Sequence, residues 1–418
     1  MRVNRRMLGC CLLAAVIAVV AGLSARAAEP IKIGFSMALT GGNAGAGQQI
    51  LAALQIWREE VNAKGGLLGR PIEFVYYDDQ TSPTTVPGIY TKLIEVDKVD
   101  LLLGPYATNM VAAAIPTLMQ HQRTSFGILA TAANREFHYA RYFSMNNTGP
   151  EPEKAVSTGF FDLAMAQKPK PETVALAGSD AEFGQNALKG ARENAKAAGL
   201  KIVYDRAYPP PTGDFGPIVR AIAAAQPDLL YVAAYPPDSA GFIRAMHEVG
   251  FKPKLFGGFF IGIGIAGIKM QLGPLMNGIV EYGALLPTPQ LMTPALSALM
   301  QKYQARAKSL GIDPLGWTFA PFGYATGEVI ADAVEATKSL DDGKIADYLH
   351  SHTVETLLAD IEFGADGEWA RSSTMFYQVQ GIKGSSLAEV GDVAHYPVVW
   401  PARLKSADLV YPYAEAVK

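Results

Sequence analysis

The chain has 418 residues, 49% hydrophobic and 18% charged, with 36 Lys and Arg against 39 Asp and Glu and a formal net charge of −3. That length exceeds what one hydrophobic core usually covers, so two domains are expected. The acidic balance argues against nucleic acid as a partner.

In chain order, Arg2, Arg5 and Arg6 precede an uncharged, mostly apolar run from Met7 to Leu23, and Ala25-Arg26-Ala27 supplies a small-x-small cleavage site. Residues 1–28 therefore read as a signal peptide, cut after Ala27 or Ala28, that sends the chain to the periplasm. A membrane anchor is the competing reading, but the run is marginal for crossing a bilayer and the cleavage site is good. Arg5-Arg6 lacks the rest of a twin-arginine signal. Cys10 sits at the start of the apolar run rather than after it, which argues against lipidation. Both cysteines, Cys10 and Cys11, lie in the segment to be removed, so no disulfide or cysteine chemistry is expected in the mature chain. Losing Arg2, Arg5, Arg6 and Arg26 takes Lys plus Arg from 36 to 32 against 39 acids, a mature net charge of about −7. With no second long apolar span, the exported chain is expected to be soluble and not membrane-embedded.

Ile31–Met37 reads as a buried strand. Ile50, Leu54, Trp57 and Val61 follow at helical spacing, the helix stops at Gly65-Gly66, and a β-rich run closes on Asp78 and Asp79. This β-α-β unit predicts a parallel sheet. A helix from about Thr85 to Lys98, a strand Val99–Leu103, a helix Asn109–Gln120 and a strand Thr124–Leu129 continue it. After the turn-rich Asn146-Asn147-Thr148-Gly149-Pro150 the pattern restarts. It gives strand Thr173–Ala177, helix Asn186–Ala198, strand Lys201–Tyr208, helix Phe215–Ala225, strand Leu229–Ala234 and helix Ser239–Val249. The fold class is α/β, with two doubly wound lobes.

Asn62–Gly66, Tyr77-Asp78-Asp79, Leu103-Gly104-Pro105 and Asp313-Pro314, in this order and spacing, carry a resemblance to the leucine/isoleucine/valine-binding protein family. The likeness spans Ile31 to about Gln380. It implies a type I periplasmic binding protein, two Rossmann-like lobes joined by a hinge that the chain crosses three times. Composition alone would place one cut near Pro150. The resemblance instead implies lobe 1 as residues 29–150 plus 283–364 and lobe 2 as 151–282 plus 365–418. The implied function is a substrate-binding protein of an ABC importer that closes over a small carboxylate and hands it to permease subunits, with no catalysis. A sensor of the same fold that presents its ligand to a receptor is the alternative.

In doubly wound lobes ligands sit beyond the carboxyl ends of the strands, which singles out the loops that follow them. The first, Leu39–Gly47, is glycine-rich. After Leu103 comes Gly104-Pro105-Tyr106-Ala107-Thr108, with Thr108 expected as the N-cap of the next helix. The resemblance assigns Thr108 and the backbone beside it, Ala107 included, to the ligand carboxylate, and Tyr106 in the same loop, where relatives have an aliphatic residue, is a further candidate contact. It adds the backbone of Ala130, with Thr131 one position from the family's threonine. From the second lobe it adds Phe183 as an aromatic lid and Tyr235 as a contact, and Phe319 is a further pocket aromatic. Trp317 and Tyr324 read as core. Two departures bear on the ligand. Phe259 stands where relatives that bind branched-chain amino acids have an amine-binding Glu, and Ala46 replaces a Tyr, which would enlarge the pocket. An α-amino acid is then expected to bind poorly unless Asp180, Glu182 or Asp238 replaces the missing acid. A hydrophobic monocarboxylate without the amine, aromatic or aliphatic, is the expected ligand.

Motifs for other chemistry are weak. The six histidines lack metal-site spacing, and His350-x-His352 reads as an exposed helix-end pair. No G-x-S-x-G elbow or P-loop is present. Gly262-Ile263-Gly264-Ile265-Ala266-Gly267 meets the letters of a dinucleotide fingerprint with Glu281 the only acid in reach downstream, yet a Gly-rich turn beside the cleft is the plainer reading. No metal and no cofactor is expected.

Overall fold

The computed structural model describes residues 28–210 and 212–418, so the expected signal peptide up to Ala27, with Cys10 and Cys11, lies outside them. Strand β1 (Ile31–Met37) buries Ile31, Ile33, Phe35 and Met37 completely on one face. It lies between β2 (Ile72–Asp78) and β3 (Leu101–Leu102) in a parallel sheet of order β2-β1-β3. The expected strand Val99–Leu103 is thus only two residues long by its ladder. β4 (Ser125–Ile128) pairs in parallel with β5 (Tyr142–Met145), and a bridge from Tyr106 to Ile128 joins this pair to the loop after β3.

The second sheet has seven strands. β6 (Thr173–Ser179), β7 (Lys201–Tyr208), β8 (Leu229–Ala234), β9 (Leu255–Phe260) and β10 (Val280–Gly283) run parallel, and β13 (Met375–Gln378) and β14 (Val398–Trp400) add an antiparallel edge. Between them, β11 (Val354–Glu355) and β12 (Asp360–Ile361) form a separate hairpin. β8 is buried at every residue because sheet neighbours flank it and helices cover its faces, which explains its unbroken apolar sequence.

The first helices are α1 (Ala44–Ala63), α2 (Val86–Glu95), α3 (Thr108–Gln120), α4 (Pro152–Met165) and α5 (Glu182–Ala197). α6 (Gly216–Ala224), α7 (Pro236–Val249), α8 (Ala266–Leu272), α9 (Pro294–Leu310), α10 (Ala320–Thr337) and α11 (Asp342–Ser351) follow. α10 returns to pack on α1. A Cβ at Gly327 would lie 2.2 Å from the Trp57 ring, so only glycine permits this approach. Helix α4 and strand β5 are missing from the sequence reading. Pro152 opens α4 at a position a helix tolerates, and Gly159 within it makes room for Phe376.

Three passes of the chain meet at Asn147. Its Nδ2 donates to Ala284 O at 2.8 Å and to Ser373 Oγ at 3.1 Å, and its Oδ1 accepts from the Tyr282 hydroxyl at 3.1 Å. The boundary expected at residue 364 falls inside a turn instead. Phe363 bridges Trp369, whose Nε1 donates to Ser144 O at 2.8 Å, so this segment still packs on β5. The second sheet is rejoined only at Met375. Among the described residues no helix is long and apolar enough to cross a membrane.

Candidate ligand-binding site

The loops after β3, β4, β6, β8 and β9 converge where the two sheets face each other. Phe183 N–H donates to Asn109 Oδ1 at 3.0 Å, Asn186 Nδ2 to Thr131 O at 2.9 Å, and Ala266 N–H to Asp313 Oδ2 at 2.6 Å. These bonds join α5 and α8 of the second sheet's side to segments on the first sheet's side.

Thr108 is not the N-cap expected from sequence. Ala107 holds that position at φ 78° and ψ 146°, a backbone region that costs a non-glycine residue about 1–3 kcal/mol. Thr108 is the first helical residue, and its hydroxyl accepts the Thr131 N–H at 3.0 Å, pinning the loops after β3 and β4 together. The Ala130 carbonyl is occupied by Asn146 Nδ2 at 3.0 Å.

Around this junction lie hydroxyls that nothing satisfies. Tyr106 Oη, Thr131 Oγ1 and Tyr235 Oη are buried without hydrogen-bond partners. Burial, with the Tyr106 hydroxyl nearby, pushes the Tyr235 hydroxyl well above its usual range. Buried hydroxyls are ordinarily hydrogen-bonded, so these three are unused polar capacity beside the junction.

An aromatic row leads away from the corner. Tyr235 to Phe183 is 4.8 Å between ring centroids, Phe183 to Phe259 4.9 Å, and Phe259 to Tyr282 4.4 Å. Tyr106 meets Phe319 edge-on at 5.8 Å. Beside this row is a cavity with about 620 Å³ of space between atoms, part of it open to solvent, whose wall includes Tyr106, Phe259, Phe319 and Tyr282. Of the nine residues singled out in the sequence, Tyr106, Phe259 and Phe319 line it. Thr108, Ala107, Ala130, Thr131, Phe183 and Tyr235 form the closed seam next to it. Ala46 is fully buried in the core and is not part of the wall.

Two charged residues that the sequence reading did not propose for the site stand in the wall, Lys269 on α8 and Glu281 on β10. Glu281 lies opposite Gly258 in the sheet. One carboxylate oxygen accepts the Phe260 N–H at 2.8 Å and the other has no partner. Burial pushes its carboxyl well above the usual range. Burial also lowers Lys269 to about 8, against a smaller opposing pull from Asp313. The substitutes considered for an amine anchor are elsewhere. Asp180 is exposed, Glu182 belongs to a charged surface cleft with Arg135 and Lys189, and Asp238 is buried near Tyr208.

The remaining motifs are structural. Asp78 accepts from Leu39 N–H, Thr40 N–H and the Thr40 hydroxyl, holding the glycine-rich loop to β2, while Asp79 accepts from Ser36 Oγ at 3.0 Å. Burial raises Asp79 to about 6. In the fingerprint-like segment, Gly262 packs on Pro236 O and Ser239, and Gly264 on Thr318 and Phe319. His350 is half-buried rather than exposed, its ring nitrogens engaged with Ala140 O and Gly364 O, and His352 stacks on Tyr348. Among the described residues no group of three His, Cys, Asp or Glu is placed to hold a metal.

The family described as periplasmic binding protein matches residues 30–385. An amino acid binding protein of Pseudomonas aeruginosa is 24% identical over 88% of this chain and 95% of its own length. The substrate-binding protein of a branched-chain amino acid transporter from Streptococcus pneumoniae, solved with isoleucine, is 20% identical with TM-score 0.71, covering 89% of this chain and 100% of that one. An ABC-transporter solute-binding protein from Rhodopseudomonas palustris, solved with 3,4-dihydroxybenzoic acid, is also 20% identical with TM-score 0.70, covering 85% and 94%.

Proposed function

The chain belongs to the periplasmic binding protein family, and from that premise we propose that it captures a small apolar carboxylate in the periplasm and delivers it to the permease of an ABC importer. The observation that carries the ligand class is the corner of unpartnered hydroxyls, Tyr106, Thr131 and Tyr235, beside a cavity walled by Phe259 and Phe319. The acid group takes the corner, drawing on those hydroxyls and on the proton of the Thr108 hydroxyl, whose oxygen already accepts the Thr131 N–H. Hydrogen bonds to a charged group are worth about 1.5–3 kcal/mol each. The ring or chain of the ligand lies against the aromatic wall, which adds about 0.5–1.5 kcal/mol per aromatic pair beyond area burial.

The bonds across the seam fit a closed arrangement, and the junction at Asn147 fits a hinge about which the residues on either side of the cavity separate to admit ligand. An amine fits this site poorly. Phe259 gives it no charge, and burial pushes the Glu281 carboxyl well above its usual range, so pairing it with an ammonium works against its desolvation. The structural neighbour solved with 3,4-dihydroxybenzoic acid supports an acid of this class.

Titration calorimetry with benzoate, cinnamate, hexanoate, leucine and valine tests the reading. The acids without an amine are expected to bind and the amino acids to be weaker. Tight leucine or valine binding with silent aromatic and aliphatic acids would return the protein to amino-acid transport.

A further inference from the structure

We propose that Lys269 is a second anion anchor in the same cavity and that the ligand is a dicarboxylate with an apolar middle, an inference that rests on the functional reading above. Lys269 is 9% exposed and lies in the cavity wall, yet it makes no ion pair within 4.0 Å among the described residues. Its Nζ rests 3.9 Å from the centroid of the Tyr396 ring. The nearest acid by charge, Asp313, is committed elsewhere, accepting N–H bonds from Ala266, Leu315 and Gly316.

A buried ammonium without a carboxylate is destabilising, and a ring face offsets only part of that cost. A purely structural lysine would be expected to pair with an acid or to reach solvent. This one instead borders two adjoining spaces, the cavity described above and a smaller one beyond it toward Trp317 and Tyr396. It enters from α8, after β9 of the second sheet, whereas the hydroxyl corner is built largely on the loops after β3 and β4. An acid with one carboxylate at the corner and another at Lys269 would satisfy both, leaving its carbon skeleton against Phe259 and Phe319. Burial favours the protonated form of Glu281, in which its carboxyl donates to the second carboxylate rather than repelling it.

The test is titration calorimetry on the wild type, Lys269→Met and Lys269→Arg, with terephthalate and adipate as dicarboxylates and benzoate and hexanoate as their single-acid counterparts. In the wild type, one dicarboxylate should bind at least about tenfold more tightly than its counterpart, as one charge-assisted bond allows. Lys269→Met should erase that preference, the dicarboxylate losing at least about tenfold more affinity than benzoate or hexanoate loses, and Lys269→Arg should keep part of it. Equal wild-type affinity for single and double acids, or a preference that survives Lys269→Met, overturns the inference and leaves the carboxylate reading standing. Binding of none of the four acids overturns both.

Discussion

The polar groups in the cavity wall and those in the seam beside it differ in kind. At the corner where the loops after β3, β4 and β8 meet, the polar atoms are neutral hydroxyls and backbone groups, some satisfied by one another and some orphaned. In the cavity wall stands a buried ammonium, with a carboxyl that burial pushes well above its usual range. A hydroxyl left unpaired costs little beside an unpaired charge. The corner can therefore be kept ready in the empty protein at modest expense, whereas the lysine trades stability for recognition.

The largest expected effect breaks that comparison at its charged end. Lys269→Met should stabilise the empty protein by about 1–4 kcal/mol at neutral pH, the range found when buried charges give way to apolar side chains. Because the folded lysine is lowered to about 8 from an ordinary value of 10.5, the unfolded chain holds more protons between those values. Wild-type stability therefore gains on the variant as pH rises through that window. Denaturant unfolding should show the variant's advantage full below pH 8 and shrinking toward pH 10.5. A destabilised variant would mean that Lys269 is structural.

Next comes Thr108→Val. Its hydroxyl accepts a buried N–H, so the substitution should cost about 1–3 kcal/mol of stability as well as weakening acid binding by a similar amount, read by unfolding and calorimetry together. A loss of stability alone would make Thr108 a clamp between two loops. The smallest effects should come from Tyr106→Phe and Tyr235→Phe. Each removes a hydroxyl with no partner, so the empty protein should be unchanged or slightly more stable while affinity falls by about 0.5–1.5 kcal/mol. Unchanged affinity in both would empty the corner of its role.

The corner was legible in the sequence and the lysine end was not, for a physical reason. Strand ends such as those of β1 and β8 announce themselves by apolar runs and the loops behind them follow by topology, while the choice of Tyr106, Thr131 and Tyr235 within those loops rests on the family resemblance. What Thr108 does there was misread, because the positive φ of Ala107 moves the cap back one residue, and no residue-type preference signals a strained alanine. Lys269 and Glu281 depend on longer-range events. Glu281 reaches the wall only because β10 pairs with β9 opposite Gly258, and Lys269 only because α8 follows a tight 3₁₀ turn at Ile261–Gly264. A lone lysine in a short helix carries no local pattern. The usable signal was Glu281 itself, an acid inside an otherwise apolar strand.

The most direct test of the central claim is a crystal structure of the protein grown with saturating benzoate. The account predicts the carboxylate within hydrogen-bond distance of Tyr106 Oη, Thr131 Oγ1 or Tyr235 Oη, with the ring between Phe259 and Phe319. Benzoate found only in the charged surface cleft of Arg135 and Lys189, with the corner unchanged, would contradict it.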